Sequence, residues 1–523
     1  MNLFRASSVS AQYGYATLSG ILTVLSFPKT DLWPLAWVAM IPALVALHDA
    51  VTSGLRRIAA IGLVFGFVTG AGKVYWITET VASYGGLPWI LGFVCTAIVA
   101  LLLGSYICLF CIFVARADRR SALFPLTAAV LWTGLEYLQT YLFTGFPWEL
   151  AGYSQYQVLS VIQIARITGV YGVSFIVVLV NATLATTLIA AREGWPWKPP
   201  IRALAVTCLL CIAVVGYGWS AIAHTQRLES QTPPVRVAVV QGNMEQGMKW
   251  SPSQLQSTLD KYVILTRSTL SARPQFVVFP ETAMTFFMEN PIYRVYATQV
   301  RAFVEEIGVP LLTGALGYDP QDKTRIYNSA YLLVPRQGIT AQYSKIHLVP
   351  FGEYLPLSFL FFWLRGLTMD VGVLTPGETL TVMPVPGADI RVGSVICYES
   401  IFPDLVRRFV DGGANVLVVM TNDAWFGDSS APMQHFSMAV FRAVENGVPV
   451  IRAANTGVSG YISATGRMSG LTPLMAATST IGEVYPGRDV STFYTRYGDV
   501  FPILCVIGGL IAVIGGQRRR GGA

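Results

Sequence analysis

Three residues in this chain bring a nucleophile, a carboxylate and a cation to matching positions. Cys397 directly follows the β-rich run 390–396 (IRVGSVI), Glu281 follows 275–280 (QFVVFP), and Lys345 follows 339–344 (ITAQYS). The carboxyl ends of strands are where α/β sheets form their ligand crevices, so three reactive groups at equivalent positions mark a candidate site. A thiol with its ordinary pKa of about 8.5 is mostly protonated at neutral pH. A neighbouring carboxylate can take that proton and later return it to a leaving group. A lysine ammonium can stabilise a tetrahedral oxyanion, helped by the backbone N–H of Tyr398, which follows the nucleophile. The chemistry open to this set is acyl transfer through a thioester. A Cys–His dyad is the alternative, with His347 and His435 as its candidate bases.

The elements that must position these groups occupy residues 224–498. Predicted strands cover 235–241, 275–280, 309–316, 329–334, 339–344, 390–396, 415–421 and 448–454, and predicted helices cover 252–272, 291–307, 402–411 and 432–446. Alternation of this kind over such a length predicts one α/β domain with a sizeable core. Gln231-Thr232-Pro233-Pro234 is its entry linker.

The remainder has a different composition. Hydrophobic residues make up 53% of the 523 and charged residues 12%, and the apolar excess is gathered into long uncharged runs. A spanning helix needs about 20 mostly apolar residues. Eight candidates follow, at roughly 12–28, 32–50, 58–79, 87–115, 121–143, 158–190, 201–223 and 499–516. Arg56 and Arg57, then Arg116, Arg119 and Arg120, then Arg192, Lys198 and Arg202 fall in alternate gaps and Arg518, Arg519 and Arg520 close the chain, whereas the short gaps between hold Lys29 as their only positive charge. This alternation predicts both termini in the cytoplasm and the 224–498 block outside. It also accounts for much of the formal net charge of +7, which is therefore not read as a nucleic-acid-binding face. The first span lacks a convincing cleavage site and is expected to be retained. The expected organisation is a transmembrane domain at 1–223, an extracytoplasmic catalytic domain at 224–498, and a final helix with a basic tail at 499–523.

Six of the seven cysteines lie in predicted spans. The Cys108/Cys111 and Cys208/Cys211 pairs have metal or redox spacing but no further ligands nearby, so they read as packing residues. Cys397 alone lies in the water-soluble block. There is no phosphate-binding loop: around Gly72-Lys73, Phe67 and Val74 stand where a glycine and a hydroxyl residue are needed.

FPET (279–282), YSKIHLVPFGEYLP (343–356) and GSVICYES (393–400) resemble the Glu, Lys and Cys blocks of the carbon–nitrogen hydrolase (nitrilase) superfamily. With TGFPWELAGYSQ (144–155), QGNMEQGMKW (241–250), TNDAWFGDSSAPMQH (421–435) and RAANTGVSG (452–460), nearly the whole chain resembles the bacterial apolipoprotein N-acyltransferases. The resemblance implies a nitrilase-like αββα sandwich in the periplasm, joined to an α-helical, polytopic membrane domain of about eight spans in a Gram-negative inner membrane. It implies that Glu281 is the general base, Lys345 the oxyanion stabiliser and Cys397 the nucleophile. Glu353 matches a second carboxylate kept near that triad, and Trp250, Tyr398 and Glu399 match further positions the activity requires. The implied donor is a phospholipid, typically phosphatidylethanolamine, and the implied acceptor is the α-amine of the diacylglyceryl-cysteine that begins an apolipoprotein. No cofactor or metal is expected.

The run LPLSFLFFWLRGL (355–367) is too short to span and is uncharged before Arg365. It reads either as core or as an arm in the outer leaflet, with Phe359, Phe361, Phe362 and Trp363 guiding acyl chains. Phe286 and Phe287 are candidates to line the same entry. Lys73, Glu79, Glu136 and Arg166 lie in or beside spans and raise the alternative of a transporter, but no duplicated halves are evident. A membrane-tethered amidase or nitrilase using water as acceptor remains compatible with the triad.

Overall fold

The computed structural model describes residues 6, 8–247, 249–319, 321–356, 373–488 and 491–521, with side chains to 515. Contacts divide the chain into two compact units. One comprises residues 1–78, 89–222 and 497–523, the other 79–88 and 223–496.

The first unit is helical. Among the described residues, four helices are long and apolar enough to cross a membrane: Leu55–Val74, Trp89–Val114, Val170–Glu193 and Lys198–Ser230. Helix bounds depart from two of the predicted runs for local reasons. The 32–50 run is divided into a 3-10 turn, Trp33–Trp37, and the nine-residue helix Ile41–Asp49, with Pro34 and Pro42 at their starts. Such a helix covers about 14 Å, half the thickness of a bilayer core. In 158–190, Gly169 at φ +65° separates two short turns, Leu159–Ile162 and Ala165–Thr168, from the helix beginning at Val170. The first predicted span is a 17-residue helix, Val9–Leu25. Phe124–Tyr141 has 18 residues, and the last helix is Val500–Gly521.

Leu55–Val74 and Trp89–Val114 pack through small residues four apart. A Cβ added at Gly66 would lie 2.4 Å from the Gly104 carbonyl oxygen, and one at Gly70 would lie 2.7 Å from that of Ala100. This is close backbone approach of the kind that holds helices together in lipid. Cys108 and Cys111 back onto Gly62 in the same seam, as packing residues. Buried polar groups fasten the loop that follows Tyr141. Lys73 Nζ donates to the Glu149 carbonyl at 2.5 Å, and Glu136 Oε1 accepts from Trp132 Nε1 and from the Ala151 N–H.

The second unit is built on two sheets. The strands are β1 (Val235–Gln241), β2 (Phe276–Val278), β3 (Met284–Phe287), β4 (Leu311–Tyr318), β5 (Ile326–Val334), β6 (Gly338–Ser344), β7 (Val382–Val385), β8 (Ile390–Ile396), β9 (Val416–Thr421), β10 (Val450–Ala454), β11 (Gly460–Ile462), β12 (Met468–Ser469) and β13 (Thr478–Val484). One sheet runs β13-β1-β2-β4-β5-β6 with β3 beside β4, and the other β12-β11-β10-β9-β8-β7. The central strands β1, β2 and β4 are parallel, as are β8, β9 and β10. They are Val/Ile/Leu-rich and nearly all buried, as strands covered on both faces must be. Helices Leu255–Arg267 and Arg294–Ile307 pack their apolar faces onto the first sheet. Helices Pro403–Asp411 and Ala431–Asn446 touch the second, and the sheets meet at β1/β10 and β5/β8. The layers are helix, sheet, sheet, helix. Because β5 is antiparallel to both β4 and β6, β6 points the same way as β2, so both end at one edge of their sheet.

Candidate active site

Glu281, Lys345 and Cys397 lie at the ends of β2, β6 and β8 and converge. Glu281 and Lys345 are buried, with the Lys345 ammonium 3.7 Å from Glu281 Oε1. Glu281 is fixed by two donors, Asn328 Nδ2 at 2.7 Å and the Asn422 N–H at 2.8 Å. Lys345 Nζ donates to Glu353 Oε1 at 2.8 Å, and Glu353 Oε2 accepts from the Val349 N–H at 2.8 Å. Glu353 therefore gives Lys345 a full counter-charge and leaves Glu281 only partly engaged by it. Burial pulls the Lys345 pKa down, but Glu353 and then Glu281 outweigh it and hold the side chain well above the usual lysine range.

Cys397 sits on a sharp elbow at φ +52°, a conformation an L-residue keeps only when its surroundings hold it. Three groups do so. Glu399 Oε2 accepts from the Ile396 N–H at 2.8 Å, while Ser400 Oγ (2.8 Å) and His435 Nε2 (3.1 Å) meet the Cys397 carbonyl. Partial exposure of the residue leaves access for a substrate. Burial, then Glu281, push the thiol pKa far up, and Lys345 opposes them. The resting thiol is therefore protonated, and attack requires a base alongside it.

Glu399 is a brace. Its buried carboxylate accepts from Tyr343 Oη, the Ile346 N–H and the His347 N–H as well as from Ile396, so it ties the lysine segment to the cysteine elbow. Tyr398 is buried with its ring against those of His347 and Phe402. Trp250 lines a cavity together with Gln246, Glu281, Thr282, Leu316, Asn328, Leu374, Asn422 and Trp425.

Both histidines have other partners. His435 Nε2 meets a backbone carbonyl, and its Nδ1 lies 3.1 Å from both Asp423 Oδ1 and Arg452 Nη2. Burial and Arg452 lower its pKa, which suits a neutral ring donating from Nε2. Asp423 is pushed up by burial but brought down to about 2 by Arg452 and His435. His347 stacks on Phe402 with ring centroids 3.9 Å apart.

The two phenylalanines of β3 part company. Phe287 is half-buried beside Trp250, Leu316 and Leu374, near the cavity. Phe286 packs in the core with Tyr293 and Tyr296. Phe286, expected at a lipid entry, is buried in this core. Phe359, Phe361, Phe362 and Trp363 lie outside the described residues.

Sequence reasoning missed several groups. Asn328 and Asn422 orient the carboxylate, and Lys249 is buried with its ammonium 2.6 Å from Thr282 Oγ1 and 3.3 Å from the Glu281 carbonyl oxygen. Lys249 stands directly before Trp250, and that adjacency within QGNMEQGMKW was the available signal.

Two family models match the chain. That for the apolipoprotein N-acyltransferase N-terminal domain matches residues 19–183, and that for carbon–nitrogen hydrolase matches residues 236–485. The apolipoprotein N-acyltransferase of Geobacter metallireducens is 38% identical over 512 residues, covering 97% of this chain and 96% of its own. That of Chlorobaculum tepidum is 32% identical over 531 residues, covering 96% of each. Among solved structures, Saccharomyces cerevisiae Nit3, a member of branch 10 of the nitrilase superfamily, is similar at 17% identity and a TM-score of 0.38. It covers 48% of this chain and 90% of that one.

Proposed function

This chain belongs to the apolipoprotein N-acyltransferase family, and from that premise we propose that its acyl transfer runs in two steps through a thioester on Cys397. The family makes it a membrane enzyme of lipoprotein maturation with lipid and lipoprotein substrates. What supports the residue-level reading is the buried Glu281–Lys345 pair, 3.7 Å apart, acting on a protonated thiol held on a strained elbow.

In the first step Glu281 takes the Cys397 proton as sulfur attacks an ester carbonyl of a phospholipid, typically phosphatidylethanolamine. Lys345 and the Tyr398 N–H face the developing oxyanion. Glu281 then protonates the departing lysophospholipid oxygen, leaving the acyl group on sulfur. In the second step the free α-amine of a diacylglyceryl-cysteine attacks the thioester. Glu281 takes the amine proton and returns it to the departing thiolate as the amide forms. The sequence ester, thioester, amide ends in the most stable bond and needs no nucleotide. Glu353 keeps Lys345 charged, Glu399 keeps the elbow shut, and Trp250 with Phe287 forms part of the wall against which the substrates lie. The acyl-guiding role of Phe359, Phe361, Phe362 and Trp363 belongs to the same proposal.

A membrane seat spares both lipids from extraction into water, which costs about 0.8 kcal/mol per exposed CH₂. The basic gaps support an inner-membrane orientation with 224–498 in the periplasm and both termini in the cytoplasm. A reporter active only outside the cytoplasm should work when fused after Thr232 and fail after Arg120; the reverse would overturn that topology. For the reaction, acyl-loaded enzyme should be discharged by a diacylated lipopeptide with a free amino terminus but not by its N-acetylated form. Equal discharge in water alone would make the protein an amidase-like hydrolase.

A further inference from the structure

The mechanism above leaves Lys249 without a task. Its side chain is almost completely buried, and a buried ammonium persists only where acceptors and counter-charges hold it. Nζ donates to Thr282 Oγ1 at 2.6 Å and to the Glu281 carbonyl oxygen at 3.3 Å. Both acceptors belong to the turn that joins β2 to β3 and carries the Glu281 side chain.

That turn is strained. Thr282 has φ +45°, and a β-branched residue in the left-handed region is a genuine outlier that must be held from outside. On one side β4 passes beneath it at Gly314, where a Cβ would lie 2.4 Å from the Thr282 nitrogen and 2.8 Å from the Glu281 Cα. Lys249 holds the turn through Thr282 Oγ1 and the Glu281 carbonyl. With backbone and carboxylate both pinned, the latter by Asn328 and Asn422, Glu281 has little freedom to swing.

We propose that Lys249 is a positioning residue for acyl loading: its ammonium clamps the left-handed Glu281–Thr282 turn and thereby aims the Glu281 carboxylate at Cys397. The inference rests on the two-step reading given above. Thr282 is the acceptor through which the clamp acts, so it provides a second, milder handle on the same contact.

The test is single-turnover acyl loading of full-length enzyme in vesicles of phosphatidylethanolamine, followed by intact mass over a range of lipid concentrations. Lys249→Met keeps the length of the side chain and removes the ammonium. It should slow the loading rate about 100-fold, the size of effect expected from misplacing a reacting group by about an ångström. The half-saturating lipid concentration should stay within about twofold, because a positioning residue touches neither lipid nor sulfur. Thr282→Val should show the same rate loss, Thr282→Ser should restore most of the rate, and Lys249→Met with Thr282→Val should be no slower than Lys249→Met alone. If Lys249→Met fails to fold, the Thr282→Val and Thr282→Ser pair decides. Loading near the wild-type rate in Lys249→Met or Thr282→Val, or a weakened lipid affinity with an unchanged rate, would overturn the clamp. Loading that survives Cys397→Ala would instead defeat the underlying two-step reading.

Discussion

Replacing Glu353 by Gln separates the charge of the second carboxylate from its shape. In the structure this buried group accepts from Lys345 Nζ at 2.8 Å, from the Val349 N–H at 2.8 Å and from Asn328 Nδ2 at 3.3 Å. A glutamine has one acceptor oxygen. Turned towards Lys345, it sets its own NH₂ against the Val349 N–H, and a buried unsatisfied donor costs about 1–3 kcal/mol. Lys345 also loses its nearest negative charge. Removing one partner of a buried ion pair costs about 3–5 kcal/mol, and because Glu281 remains 3.7 Å away the lower end applies. Together the expected loss is about 4–6 kcal/mol, a fall of roughly 8–24 °C in the unfolding midpoint for a domain of this size.

The same change should impair loading, because Lys345 must then lean on Glu281 and turn the base into a counter-ion. A loss of about 100-fold is expected, the scale of a displaced general base. The pH dependence follows from the sign of the Lys345 shift. Its folded pKa is raised by Glu353 and Glu281 against the effect of burial. The stability it contributes is fully present below the unfolded lysine value, about 10.4, and is lost only as pH rises through the higher folded value. In the wild type Lys345 should therefore add no pH dependence to stability from pH 6 to 9, read by thermal unfolding in detergent alongside acyl loading by mass. An unchanged midpoint with wild-type loading would refute the argument that this carboxylate holds Lys345 in its charged state.

Gly314→Ala should destabilise the second unit by about 1–3 kcal/mol and suppress loading, because the added Cβ meets backbone atoms of the Glu281 turn rather than a movable side chain; loading at the wild-type rate would show that the turn can shift freely. His347 should make the protein acid-sensitive. Burial and then Lys345 lower its pKa to about 4, so as pH falls from about 6.5 towards 4 the unfolded chain binds a proton that the folded one refuses. His347→Gln should flatten stability over that window, by up to about 3 kcal/mol at its lower end, while still loading; an unaltered pH profile would contradict the assignment.

What could be read from the sequence followed the strength of local signals. The runs at 235–241 and 390–396 coincide with β1 and β8, because Val- and Ile-rich strands buried on both faces leave little ambiguity. Short strands such as β3, β11 and β12 were not foreseen, since they are fixed by their neighbours in the sheet rather than by their own composition. Hydropathy alone counted 32–50 as a span, although its prolines start new turns within it. In the candidate site, Glu281, Lys345 and Cys397 stand out as candidates because each closes a β-rich run. Lys249, Asn328 and Asn422 do not, because their contacts are brought together only by the crossing of separate segments. Phe286 and Phe287 look alike in sequence, and only their packing separates the buried core residue from the half-buried one.

The central claim is that Cys397 carries the acyl group between the two substrates. Intact mass analysis of the purified enzyme after incubation with phospholipid of one defined acyl chain tests it directly. The account predicts one acyl adduct on the wild type, released by neutral hydroxylamine, and none on Cys397→Ala under the same conditions. An adduct of equal amount on Cys397→Ala, or one on the wild type that resists neutral hydroxylamine, would contradict it.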